Sequence, residues 1–287
     1  MLNRYTVAAL AALAIAAACN NDDGPIGPLD GAVRLDEPGL RRLYGAPVNV
    51  GQGRVRSYIT FDESKADAPV ELGLAMDEAA LEGLPAPTGG HGEGHADMHE
   101  YVVQLPAWNP TTFKFVELDW NPAGHEPAQI YDKPHFDFHF YTITKAERDA
   151  IDPADAQFQA KTERLPAADY FPARYLAPPP VAAVPKMGVH WLDVASPELP
   201  PTMSPFTTTY IFGSWDGKVI FQEPMITRAY ILAKKSAATA AERDEIIPIT
   251  RTAKVQEAGY YPQAYRITYD ATAKEYRVAL TKLEYRQ

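Results

Sequence analysis

Cysteine occurs once in 287 residues, at position 19. The chain therefore closes no internal disulfide, and beyond that position it has no thiolate nucleophile and no cysteine-ligated metal site. Long apolar runs are missing too. After residue 19 no stretch has the ~20 apolar residues that a helical bilayer span requires. Basic charge is scarce, with 27 Lys+Arg against 37 Asp+Glu. An acidic surplus repels nucleic-acid phosphates and anionic lipid heads, which argues against nucleic-acid binding. The sequence also lacks a Walker-type phosphate loop, a dinucleotide fingerprint and an HExxH pair. Gly213-Ser214-Trp215-Asp216-Gly217 does not have the spacing of a nucleophile elbow and reads as a hairpin turn.

What is present begins at the N-terminus. Residues 1–18 carry a basic start with Arg4, an apolar run from Val7 to Ala18, and a small-residue cleavage site, which are the three parts of a secretory signal. The site Ile15-Ala16-Ala17-Ala18-Cys19 resembles the bacterial lipobox, where the cysteine is lipidated before cleavage. The sole cysteine stands at the one place where that chemistry needs it. The expectation is a mature chain of 269 residues (287 minus 18) held to a membrane by the lipid on Cys19, its only evident attachment. Loss of Arg4 leaves 26 basic against 37 acidic residues, a net charge of −11. Asn20 is not the aspartate that retains lipoproteins at the inner membrane of enteric bacteria, which points to the outer membrane facing the periplasm, or to the cell surface. Residues 19–44, rich in Asn, Asp, Gly and Pro near their start, read as a solvated tether. Residues 45–287 read as a single domain.

That domain reads as mainly β, a sandwich or barrel with a few short helices, with a two-lobed β domain as the alternative. Val55, Ser57, Ile59 and Phe61 alternate with polar neighbours, as do Val70, Leu72, Leu74 and Met76, which predicts a hairpin. Asp77 caps a short helix through Leu81. Strands follow at Tyr101–Leu105, Phe113–Trp120 and His135–Ile143, and Thr144-Lys145-Ala146-Glu147 is a capping box. Asp216-Gly217 predicts a type I′ turn between two strands. Tyr265–Tyr269 and Tyr276–Leu280 predict a closing hairpin, and 236–247 a helix. The 26 prolines suit the connections of an all-β domain.

Six of the seven histidines fall in two groups, His91, His95 and His99, then His125, His135 and His139; the seventh is His190. Imidazole is the commonest metal ligand. The 91–99 stretch contains Gly92 and Gly94 and reads as a mobile loop, except His99, which abuts the next strand. In His135-Phe136-Asp137-Phe138-His139-Phe140-Tyr141, strand alternation sends His135, Asp137 and His139 one way and three phenylalanines the other, into the core. His135 and His139 are then about 13 Å apart at Cα, too far to share one ion without a bulge. A simpler centre takes two neighbours of the row with ligands from His99, His125 or His190 and a carboxylate from Glu126 or Glu223. Ligands of nitrogen and oxygen alone suit zinc, with copper or iron as alternatives.

Several stretches resemble a domain family of uncharacterised bacterial exported proteins whose founder is a thermophile protein under sigma-E/anti-sigma-E control. They are Gly51–Tyr58, Ala80–Pro85, His99–Val102, Trp120–Pro127 running on to His135–Tyr141, Gly188–Trp191 and Glu223–Thr227. The resemblance spans about residues 45–287. It implies one β-rich domain, often a homo-oligomer, in the cell envelope, with an envelope-stress setting by association. It brings no known activity and no catalytic residue. Three readings stay open: a metal-binding envelope lipoprotein without assignable activity, a metal-dependent enzyme with Glu126 or Asp137 as general base, and a metal-free structural protein.

Overall fold

A computed structural model describes residues 29, 31–35, 37–65, 68–88 and 97–287. The expected signal segment, Cys19, most of the tether, His91 and His95 lie outside the described residues. Gly31–Gln287 forms one compact unit.

The unit is a β-sandwich of two open antiparallel sheets, with no closed barrel. The chain starts the first sheet with β1 (Val33–Arg34), β2 (Leu40–Tyr44), β3 (Val48–Val50), β4 (Gly53–Asp62) and β5 (Ala68–Asp77). It then builds the whole second sheet from β6 (His99–Gln104), β7 (Phe115–Asn121), β8 (His135–Tyr141), β9 (Tyr175–Leu176), β10 (Val189–Asp193), β11 (Thr208–Trp215) and β12 (Lys218–Thr227). Of the remaining strands, β13 (Asp244–Pro248), β15 (Ala264–Asp270) and β16 (Glu275–Thr281) return to the first sheet, while β14 (Gly259–Tyr261) pairs with β17 (Glu284–Arg286). The first sheet runs β1-β2-β4-β5-β16-β15-β13, with β3 also on β4, and the second runs β6-β7-β8-β12-β11-β10-β9. In the second sheet β8 is therefore a central strand, flanked by β7 and β12.

Alternation explains the core. Val55, Ile59, Phe61, Leu72, Leu74, Met76, Val278 and Leu280 are fully buried on one face of the first sheet. On the second, Val116, Leu118, Phe136, Phe138 and Phe140 are fully buried on one face. The layers meet where Tyr265 of β15 packs on Tyr210 of β11, ring centroids 5.3 Å apart, and Thr208 Oγ1 lies 3.1 Å from the Tyr265 hydroxyl. Trp120 Nε1 donates to the Pro85 carbonyl, 2.9 Å away. The opposite face of the second sheet is covered by connecting segments, through Tyr131, Ile151, Met187 and Phe206 packed on Phe115, Tyr141 and Phe221.

Local chemistry sets the ends of elements. Asp77 accepts from Ala80 N at the short helix Glu78–Leu81, and Thr144 and Glu147 form both halves of a capping box. Asp216 and Gly217 have φ of 50° and 79°, as a type I′ turn requires. Two expectations are corrected. Residues 33–44 are not all tether, since β1 and β2 pair into the first sheet. Strands of two and five residues bury too few apolar positions to show a period. The helix expected at 236–247 shrinks to Ala240–Arg243, and Asp244–Pro248 pairs along β15. The β-branched Ile246-Ile247 gains more from that ladder than from a helical turn. Among the described residues no helix is long and apolar enough to cross a membrane.

Candidate metal centre

The row on β8 lies on the covered outer face of the second sheet, with the three phenylalanines behind it in the sandwich core. His135, Asp137 and His139 are at most 1% exposed. Across β7 the register sets Asn121 opposite His135, Asp119 opposite Asp137 and Glu117 opposite His139. Across β12 it sets Thr227 opposite His135 and Met225 opposite Asp137. Alternation then puts Glu223 on the same face, beside His139.

Each end of the row joins a different group. His125, His135 and Asp137 form one, with ligand atoms all within 4.8 Å of one another; His139, His190 and Glu223 form the second within the same limit. In the first, His135 Nε2 is 3.1 Å from Asp137 Oδ1 and His125 Nε2 is 3.5 Å from Asp137 Oδ2. The other ring nitrogens, Nδ1 of His135 and of His125, each lie 2.6 Å from a backbone carbonyl, of Lys133 and Glu126. When each ring is neutral, donation from Nδ1 leaves Nε2 unprotonated and turned to the carboxylate, which is the tautomer a metal needs. Asn121 Nδ2 donates to Asp137 Oδ2 at 2.7 Å and fixes the carboxylate plane.

In the second group His139 Nε2 is 3.4 Å from Glu223 Oε2 and its Nδ1 is 3.0 Å from Asp119 Oδ2. An imidazole backed by a buried carboxylate on its far nitrogen is a common outer arrangement for a metal ligand. His190 arrives from β10, two strands from β12, and its Nε2 is 3.9 Å from Glu223 Oε2. It can reach because its partner across the ladder is Gly213, which has no side chain. A Cβ at Gly213 would collide with the Phe221 ring.

Charge and burial favour a cation at both groups. Asp119, Asp137 and Glu223 are buried carboxylates within range of one another. Burial, then the Asp137 and Glu100 charges, holds Asp119 well above the usual carboxylate range. Burial also raises Glu223 well above it, against the opposing pull of His139. Burial alone would raise Asp137, but the facing His135 and His125 bring it well below its ordinary value. Burial lowers His125, but the hydrogen bond and charge of Asp137, with the Glu126 carbonyl and the Asp119 charge, together outweigh it and raise the ring above its ordinary value. His135 Nε2, Asp137 Oδ1, both His139 nitrogens and Glu223 Oε2 have no aligned hydrogen-bond partner among the described residues, although their neighbours lie within ion-pair distance. Buried polar atoms that converge without sharing a proton suit a bound cation. Tetrahedral zinc with bonds near ~2.1 Å spaces its ligands about 3.4 Å apart, so small side-chain movements close either group on an ion.

The remaining candidates are placed elsewhere. His99 pairs with Trp120 and so faces the sandwich core, away from both groups. Glu126 borders the centre, but its Oε2 accepts from Ala128 N at 2.8 Å. Asp137 belongs to the first group as a ligand-bearing carboxylate. Four contributors escaped the sequence reading: Glu117, Asp119, Asn121 and Arg148. The first three were signalled by the alternation Phe115-Glu117-Asp119-Asn121, which runs beside the histidine row. Arg148, 1% exposed, pairs with Glu117 and has no sequence signal, because only folding brings its helix over β7.

Fold and centre together define a β-sandwich whose central strand supplies three of the six residues of two neighbouring groups, each of two histidines and one carboxylate. Residues 64–120 match the TTHB210-like family, described as "Hypothetical protein TTHB210". The matched stretch holds β5, β6 and all of β7 but its last residue, Asn121; it includes Glu117 and Asp119 and ends before His125. Comparison with curated proteins and with solved structures gave no significant match.

Proposed function

We propose that this protein is a divalent-metal-binding protein of the cell envelope, lipid-anchored through Cys19, with zinc the metal that best suits its ligands. The observation that carries the metal half is the pair of three-residue groups, each with two imidazoles and one carboxylate converging in the protein interior. Three protein ligands leave a fourth position of a zinc ion open. The resemblance of the N-terminus to a lipobox carries the envelope half. It agrees with the resemblance of the domain to exported bacterial proteins and with an envelope-stress setting.

Metal content decides the first half. The full chain, purified without a His tag and dialysed against zinc, is expected to hold two equivalents. His135→Ala and His139→Ala each reduce this to one, and the double variant holds none. A wild-type chain that takes up no divalent metal would overturn the proposal and leave a metal-free structural role. A cavity of about 730 Å³ bordered by His125, Asp137, His190 and Glu223 gives the enzymatic reading its one specific support. In that reading Glu126 is the candidate base, since Asp137 is committed to the metal, and a metal-bound water that exchanges with solvent would favour it.

A further inference from the structure

The two groups share an opening. A cavity of about 730 Å³ lies over this face of the second sheet, and its floor includes His125 and Asp137 of one group and His190 and Glu223 of the other. His135 and His139 do not line it; they lie beneath, fully buried. Each group thus has a deep imidazole on the protein side and a histidine and a carboxylate bordering the cavity. An ion held by either group meets the cavity with its open side.

Above this floor the walls are apolar. Met98, Val184, Met187, Leu192, Ile211 and Met225 line them, from the residue before β6, the segment before β10, β10 itself, β11 and β12. Methionines supply adaptable apolar contact for a ligand of variable shape. Few charged residues border the rest of the cavity. Glu100 pairs with Arg148 at 3.3 Å and with Lys186 at 3.4 Å, and Glu126 is held by the backbone of Ala128. The volume falls in the ~300–1,000 Å³ range of small-molecule sites.

Resting on the metal reading, we infer that the cavity binds an apolar molecule by an anionic oxygen head, a medium-chain carboxylate, with the head on the metals and the chain along the methionine-lined wall. A divalent ion with one carboxylate ligand keeps one positive charge at the first group, while Asp119 behind His139 faces the second. An ion with a residual charge and an open position at the base of an apolar chamber calls for an anionic oxygen donor. The walls call for hydrocarbon. Neither a short hydrophilic anion nor an uncharged apolar molecule satisfies both.

The test measures decanoate binding by calorimetry to the full chain loaded with zinc, with decanol and acetate as comparison ligands. Decanoate is expected to bind at least tenfold more tightly than either. Zinc removal, or His190→Ala, should weaken it at least tenfold. Leu192→Trp and Ala183→Trp fill the chamber from two sides and should abolish decanoate binding while zinc stoichiometry stays at the wild-type level, which also reports that the variants are folded. If the chain takes up no zinc, the metal reading fails and this inference falls with it. If zinc binds, but decanoate binds no better than decanol or acetate, or equally well to the zinc-free chain, the inference alone is overturned.

Discussion

Asp137 shows how much of the centre depends on the orientation of single side chains. Its two oxygens face different histidines, and Asn121 holds one of them at 2.7 Å. Asn121→Ala leaves every ligand in place but frees the carboxylate to rotate. Loss of such an outer partner typically costs 10–100-fold in metal affinity. Zinc titration of Asn121→Ala is expected to show that loss at one of the two equivalents, with the His139 group unchanged. Arg148 presents the opposite case, a buried charge whose role is structural. It neutralises the fully buried Glu117 and also contacts Glu100 and Asp149. Removing one member of a buried pair leaves the other charge uncompensated, so Arg148→Ala should lower stability by about 3–5 kcal/mol in urea unfolding.

At the scale of the element, β8 works as a two-sided plate. One side holds the ligand row; the other puts Phe136, Phe138 and Phe140 into the sandwich core, all fully buried. Packing on one face therefore stiffens the chemistry on the other, as a preorganised site requires. Phe138→Ala should cost about 3–5 kcal/mol through lost burial and the cavity left behind. Because the Phe138 side chain lies on the face of β8 opposite the row, the fold should weaken far more than the metal stoichiometry, measured below the unfolding transition, declines. The row was legible in the sequence because a period of two needs only a central strand. Its splitting into two groups was only half legible. The ~13 Å between His135 and His139 argued against one shared ion, but the choice of partners rested on β10, β12 and the 122–134 segment. Those partners lie far away along the chain. The helix expected at 236–247 failed for a related reason: cross-strand pairing with β15 overrode a local pattern.

For the whole molecule, metal, pH and anchoring give three measurable consequences. A ligand that binds only the native state stabilises it by mass action, so zinc should raise the melting temperature and a chelator should reverse the rise. Zinc must also displace protons. His125 without metal holds its proton above the ordinary 6.5 because Asp137 faces it. As pH falls through that raised value the ring gains a proton and competes with the metal. Affinity at the first group should therefore start to fall at a pH above the ordinary 6.5 and keep falling with acidification, which zinc titration at several pH values would follow. The folded chain gains in the other direction from Asp137. Its depressed native value stabilises the fold above the ordinary carboxylate range and loses that contribution as pH falls toward acid. The anchoring proposal is tested by fractionation: Cys19→Ser should move the chain from the membrane fraction to the soluble one.

Local chemistry alone specified a good deal here. Alternation named the main hairpins and the polar outward face of β8, and capping residues marked two of the short helices. These signals act between neighbours, so one stretch of chain carries them complete. Only the folded chain determined which histidine meets which carboxylate, that His99 faces the core, that Gly213 clears a path for His190, and that one apolar chamber opens on both groups. Such arrangements join residues far apart in the chain, 84 positions for His139 and Glu223 and 127 for Met98 and Met225. They exist once two sheets have paired in register and the covering segments have packed, and no local period records that.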